Sequence, residues 1–591
     1  MPVLYDVPLP ITPMMTRLLY IALALTLIVA HAVAEPGAGT LYDQSPFAPA
    51  IEEMRRALVD PDSTERLNAV GIVNHARDAL VLRVHLIQNA RHTIDIQTFI
   101  WENDASGNRI MYELIQAARR GVRVRFLTDH LFSDRDPQRL AALCTTDANL
   151  EIRYFRPLGN RLDPSRLRSF YASLVHFKAT NKRMHNKVMI FDDAIAITGG
   201  RNIDDHYFNN SLSYNFKDRD VLVLGAVLPD MIRSFEAFWD FKHSVPVDTL
   251  KDVARVIERQ NLTRQEFHEM RNTEGSFPLL NGDASDNEDI RRKFVDTLYR
   301  PRHVEFIWDL PGKNTASGMF SMWGGGPVAD RLQRTIADAQ HDVVIQSPYL
   351  ILERRTRRLF RKLKRERPNL DVRISTNSFS STDNVLAYSY NYKMRPLYIK
   401  KLNFAIYEYK PRPADLAFHI PNFGELEERA ERERPNARRG PFMSMHGKSM
   451  VVDDRISYIG SFNMDPRSTN LNTEEGLLIE DEQFAQMLKD DILRDMAPEN
   501  SWVIARRKLP FPELNSIIED ISTMFPIDPW PLKNTTSFEL IPGKTPLHPR
   551  HADFYDHYRD SGPFPGSNGL STKEIVTQLY KIIGKPAIPI L

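Results

Sequence analysis

Two copies of one short pattern constrain this chain more than any other feature: His185-Asn-Lys187-Val-Met-Ile-Phe-Asp192 and His446-Gly-Lys448-Ser-Met-Val-Val-Asp453. Each is a His-x-Lys-x4-Asp followed by a glycine-containing turn ending in Asn, Gly199-Gly200-Arg201-Asn202 in the first copy and Gly460-Ser461-Phe462-Asn463 in the second. The Asn follows the His by 17 residues in both. One copy could be accident; two with matched spacing and matched Asn residues require a fold made of two similar halves.

The alternation of an extended segment puts His185 and Lys187 on one side, while Val188, Ile190 and residues 194–197 read as neighbouring buried strands. The Gly pair is expected to turn the chain and bring Asn202 back toward the His. A neutral imidazole can be nucleophile or general acid near neutral pH, and an ammonium two residues away supplies positive charge for a phosphate oxygen. Neither copy is a complete site. Two copies facing each other offer one His on each side of a phosphorus atom, which suits in-line displacement.

An internal repeat supports the two-half reading. Residues 86–97 align without a gap on 335–346, with identities at Ile87/Ile336, Ala90/Ala339, His92/His341, Ile96/Ile345 and Gln97/Gln346. Each half reads helix, strand, helix, strand, strand, then the motif strands. The expected fold class is therefore α/β: two pseudo-symmetric domains, each a mixed β-sheet flanked by helices, with one shared active site between them.

The doubled motif, with its continuations Asn463-Met-Asp465-Pro-Arg467-Ser468 and Arg201-Asn202-Ile203-Asp204-Asp205-His206, resembles the phospholipase D superfamily, and within it the bacterial cardiolipin synthases that lack an N-terminal transmembrane hairpin. The resemblance covers roughly residues 70 to 500. It implies that His185 is the nucleophile forming a phosphohistidine and His446 the acid that protonates the departing alcohol and then activates water or an acceptor alcohol. It implies that Lys187, Lys448, Asn202 and Asn463 hold the phosphoryl oxygens. An acidic residue beyond each motif is implied to orient the catalytic imidazole: Glu474 in the second half and Asp218 in the first, with Asp220 the fallback. Asp192 and Asp453 are expected to support structure. The chemistry needs no cofactor and no metal.

Composition narrows the class. Lys and Arg number 77 against 76 Asp and Glu, whereas a dedicated nucleic-acid binder carries a basic excess. The single cysteine, Cys144, allows neither an intramolecular disulfide nor a Cys-based zinc site and reads as an ordinary buried side chain. The partner expected is a phospholipid substrate, with peripheral contact to an anionic membrane and without nucleic acid. The rivals are a nuclease or phosphodiesterase of the same superfamily and a catalytically silent lipid-binding protein.

The organisation follows from composition shifts. Arg17, an apolar run at 18–30 and Ala32-Val33-Ala34 read as a signal peptide at 1–34, exported after cleavage or kept as an anchor. The expected domains are 35–267 and 326–500, joined by a connecting segment at 268–325 and followed by a Pro-rich extension at 501–591, with one capped helix at 571–584. The basic run at 354–365 reads first as a solvated helix face, with an anionic-membrane patch as the alternative. The loop at 159–184, mixing Arg and Lys with Phe170, Tyr171 and Phe177, is a candidate headgroup seat; its counterpart at 412–442 reads as a polar surface loop.

Overall fold

Apolar runs bounded by Gly, Asn and Asp become strands in each half. The computed structural model describes residues 45–59, 67–164, 181–260, 280–313, 325–437, 440–507 and 534–567. The signal peptide, most of the 159–184 loop and the 571–584 helix lie outside the described residues. The first half holds β1 (Asn68–Val73), β2 (Thr93–Thr98), β3 (Arg123–Asp129), β4 (Leu150–Phe155), β5 (Val188–Phe191), β6 (Ile195–Gly199), β7 (Asn215–Lys217), β8 (Asp220–Gly225) and β9 (Ser244–Pro246). The second holds β10 (His303–Trp308), β11 (Asp342–Gln346), β12 (Asp371–Asn377), β13 (Ala405–Tyr409), β14 (Met443–Met445), β15 (Ser449–Val452), β16 (Ile456–Gly460), β17 (Glu475–Glu480), β18 (Ser501–Arg506), β19 (Thr535–Leu540) and β20 (Tyr558–Gly562).

Two mixed sheets result, ordered β1-β8-β6-β5-β2-β3-β4-β9 and β10-β17-β16-β15-β11-β12-β13-β18-β19-β20. The stretches β8-β6-β5-β2-β3-β4 and β17-β16-β15-β11-β12-β13 are the same arrangement twice. Their registers agree: Gln97 pairs with Val188 next to one motif, and Gln346 with Ser449 next to the other.

The expected order misses one helix per half. The strand pairs β3/β4 and β12/β13 are parallel, and a parallel pair cannot be closed by a tight turn. The crossovers are the helices Pro137–Cys144 and Val385–Pro396. The first opens on Pro137 behind Asp136, whose carboxylate accepts from Gln138 N at 2.9 Å, a start signal the short helix obscures.

The two sheets pack face to face. Val188, Ile190, Ala196, Val221 and Val223 of the first share one core with Val344, Val451, Ile459, Leu477 and Ile479 of the second, closed by the helices Leu228–Trp239 and Glu482–Met496. β10, in the segment expected to connect the halves, is the edge of the second sheet, pairing with β17. Beyond residue 500 the sheet continues through β18, β19 and β20. Those strands contain no proline; Pro542, Pro546 and Pro549 fall between β19 and β20. The 412–442 segment carries the helices Leu416–His419 and Phe423–Glu433. Among the described residues no helix is long and apolar enough to cross a membrane.

Candidate functional site

The chain leading into each motif is bonded to the other half. β14, which ends one residue before His446, runs parallel to β7, which ends one residue before Asp218, and His446 N donates to Lys217 O at 2.7 Å. In the pseudo-symmetric place Met184 bridges to Thr473, and His185 N donates to Thr473 O at 3.1 Å. These two ribbons carry each acidic residue to the opposite imidazole. His185 Nδ1 lies 2.8 Å from Glu474 Oε2, and His446 Nδ1 lies 2.5 Å from Asp218 Oδ2. Asp218 and Glu474 are equivalent: each sits two residues before the one that pairs with the glycine closing its motif hairpin, Asp220 with Gly199 and Gly476 with Gly460. Asp220 meets Arg83 at 2.8 Å and Arg201 at 3.2 Å, the cations that occupy it.

A carboxylate on Nδ1 fixes the ring and leaves Nε2 as the nitrogen available for chemistry. Lys187 Nζ lies 2.7 Å from His185 O. Lys448 Nζ lies 2.5 Å from His446 O, with the imidazole nitrogens at 2.6 and 3.0 Å. His185, Lys187, His446, Lys448, Asp218 and Glu474 are all buried.

Burial at such a density of charge sets the ionisation. Burial pushes Lys187 down to about 7 and Lys448 down to about 8. Burial and Lys448 push His446 down to about 4; burial, Lys187 and Lys448 hold His185 well below the usual imidazole range. The carboxylates diverge. Burial lifts Glu474 to about 7 against the pull of Lys187, whereas at Asp218 the opposing pull of Lys448 and His446 overcomes burial and holds the group at about 2.

The Asn202 side chain accepts from Ile100 N at 3.2 Å and donates to Tyr207 OH at 2.7 Å; the Tyr207 ring meets His446 edge-on at 5.2 Å. Asn463 is buried, with its Oδ1 unpartnered among the described residues. Asp192 accepts from the backbone N–H groups of Arg91, His92 and Thr93 at 3.0, 2.7 and 2.6 Å. Asp453 does the same for Gln340, His341 and Asp342 at 2.7, 2.7 and 3.0 Å. These two carboxylates lie at the far ends of the motif strands from the histidines. His206 pairs with Asp204 at 2.9 Å in its own loop. Among the described residues no group of His, Cys, Asp and Glu is arranged to hold a metal.

Four contributors are not evident from the sequence. Ser461 Oγ donates to Glu474 Oε2 at 2.5 Å; its counterpart is Gly200, where a Cβ would fall 2.0 Å from Asp218 Oδ1. Glu475 accepts from Lys187 N at 2.5 Å and Asn186 Nδ2 at 3.1 Å, steadying the first motif. Lys217 and Arg219 flank Asp218 and bond to Asp495 and Asp491 of the second half. The signal for the last pair was present as Lys217-Asp218-Arg219, a carboxylate between two cations in a buried stretch.

A buried pair of imidazoles, each backed by a carboxylate and accompanied by an ammonium, is equipped to handle a phosphodiester by nucleophilic and acid–base steps. Comparisons with known proteins agree with the doubled architecture. The family described as "Cardiolipin synthase, PLD-like domain" matches residues 84–239 and 332–496, once in each half. An uncharacterized protein of Helicobacter pylori (strain J99) is 31% identical over 431 residues, covering 72% of this chain and 78% of the relative. Cardiolipin synthase C of Escherichia coli (strain K12) is 29% identical over 420 residues, covering 70% of this chain and 81% of the relative. Among solved structures, the phosphatidylserine synthase of Haemophilus influenzae Rd KW20 aligns with a TM-score of 0.48 at 16% identity, over 73% of this chain and 87% of that one.

Proposed function

Because this chain belongs to the phospholipase D superfamily, in the family of cardiolipin synthase PLD-like domains, we propose that it is a phosphatidyl-transferring phosphodiesterase acting on membrane phospholipids. The observation that carries the reading is the crossed pairing of each motif histidine with the other half's carboxylate, beside two buried lysines. His446, neutral in the free enzyme, takes up a proton from solvent beside the ionised Asp218 as the phosphate's negative charge enters; His185 Nε2 then attacks phosphorus while the bond to the headgroup oxygen breaks, and His446 gives that oxygen its proton. A phosphohistidine on His185 and a neutral His446 result. His446 then takes a proton from water or an alcohol, whose oxygen attacks phosphorus and frees His185. Water yields phosphatidic acid; an alcohol yields a new phospholipid. Lys187 and Lys448, with the amides of Asn202 and Asn463, neutralise and orient the phosphoryl oxygens.

The asymmetry of the carboxylates supports this division of labour. An Asp218 that stays ionised stabilises the imidazolium His446 must form, and a His185 held neutral keeps its lone pair for attack. The leader at 1–34 would give the enzyme access to lipid from beyond the cytoplasmic membrane.

The test is purified protein with vesicles of defined phospholipid, with and without an added alcohol, and products identified by mass. Phosphatidic acid or an exchanged phospholipid is expected, and neither from His185→Ala. Cleavage of DNA with no lipid product would replace this reading by a nuclease.

A further inference from the structure

The helix Arg354–Glu366 carries eight Lys and Arg residues and a single carboxylate, Glu366, in a chain whose charges as a whole nearly cancel. Phe360 and Leu363 bury its inner face against the second sheet. Its outer face is balanced only in part, by Asp330 at Arg355 and Glu366 at Lys362. Arg354, Arg357, Arg358 and Arg361 fall at successive helical positions i, i+3, i+4 and i+7, one stripe, and together line a surface concavity of about 280 Å³. None of the four makes an ion pair among the described residues, and the Arg357 Nε is buried without a hydrogen-bond partner. Of the neighbouring acids, Asp330 pairs with Arg355, while Glu353, hydrogen-bonded to Asn470 and Gln333, attracts Arg357 through space without pairing with it. Four like charges held together in a stripe repel one another, a repulsion that an anion in the concavity would relieve.

Its position connects the stripe to the site. β11 ends at Gln346, whose Oε1 accepts from Arg219, the residue beside Asp218. The following loop bonds to the chain just past Asn463, with Ile351 N donating to Met464 O at 2.8 Å, and the helix then begins. Arg354 and its three partners occupy the first two turns, so they lie at the cleft end of the second sheet.

We propose that this arginine stripe is the surface by which the protein docks on an anionic phospholipid bilayer, holding the cleft against the membrane that supplies its substrate. The proposal rests on the lipid reading of the site. The four planar, permanently charged guanidiniums suit lipid phosphates, and a cluster of this size is what a peripheral protein uses against an anionic leaflet.

The experiment compares the full-length protein with R354Q/R357Q/R358Q/R361Q in sedimentation with vesicles of phosphatidylcholine, with and without phosphatidylglycerol. Wild type is expected to bind only the anionic vesicles and to be released as salt rises from about 0.05 to 0.5 M. The quadruple variant is expected to lose binding by on the order of a hundredfold or more. It should still turn over a short-chain, water-soluble phospholipid at the wild-type rate. The charge-preserving quadruple Arg→Lys variant should bind within about threefold of wild type. Wild-type protein that ignores anionic vesicles, a Gln variant that binds them normally, or a stripe-dependent affinity for duplex DNA in place of vesicles would each overturn the proposal. Vesicle binding by the stripe without turnover of any phospholipid would instead remove the lipid reading of the site and leave the docking surface.

Discussion

Asp218 and Glu474 make the same contact to opposite imidazoles, yet one is held at about 2 and the other lifted to about 7. Only the Asp218 side presents a full negative charge to a histidine that must become positive. Asp218→Asn should therefore lower kcat by on the order of 10²- to 10⁴-fold, the range seen when a buried carboxylate behind a catalytic histidine is neutralised, while Glu474→Gln costs about tenfold or less. Steady-state rates on one lipid decide it, and equal losses would mean the halves are functionally symmetric. The lysines set a pH limit. An ammonium is charged below its pKa, so with Lys187 near 7 and Lys448 near 8 the free enzyme loses its phosphate-binding charge as pH rises through that window. The kcat/KM profile should fall on its alkaline side there. Lys187→Arg keeps its charge at all these pH values and leaves Lys448, near 8, to set the limb, which should move upward by about one pH unit; a wild-type profile flat to pH 9 would contradict the assignment.

The motif hairpins show which parts of such a site are legible locally. Strand alternation around His185 and His446, and the repeat that aligns residues 86–97 with 335–346, were enough to expect two mixed sheets meeting at one cleft, because a period of two and a duplicated pattern are properties of short segments. Which carboxylate faces which histidine was not legible: Asp218 is 228 residues from His446 and Glu474 is 289 from His185, and no local pattern encodes that crossing. The Pro137–Cys144 helix and the strands after residue 500 were hidden for a related reason, since parallel closure and sheet extension are decided by packing. The motif aspartates illustrate the division between fold and chemistry. Asp453 sits at φ 51° in the β15–β16 turn and ties three N–H groups at the start of β11. Asp453→Ala should destabilise the protein by about 2–4 kcal/mol through those lost bonds, lowering the melting temperature while the kcat of the folded fraction stays within about threefold. Gly200→Ala should do the reverse. Its methyl would occupy the place of Asp218 Oδ1, so kcat should fall toward the Asp218→Asn value with a smaller change in melting temperature.

At the scale of the whole molecule, the site exists because the halves are locked in one register. The lock is asymmetric: β7 delivers Lys217, Asp218 and Arg219 toward the second half, where Asp495 and Asp491 of the Glu482–Met496 helix hold the two cations. Asp495 also accepts from Gln346 Nε2 at 2.6 Å, so one buried carboxylate joins β7, β11 and the helix. Lys217→Met leaves that carboxylate without its cation, at a cost of about 3–5 kcal/mol. Asp495→Asn in the same chain removes the stranded charge, so the double variant should recover part of the loss, with a coupling of about 2 kcal/mol or more in a denaturant-unfolding cycle. Activity should follow a different course. Both single variants and the double should show lowered kcat, because Asp218 loses the neighbour that holds it against His446, and restoring stability does not restore that placement. Strictly additive unfolding energies, or full kcat in Lys217→Met, would mean that the two halves are aligned by their apolar core alone and that the charged clamp around Asp218 is incidental to the chemistry.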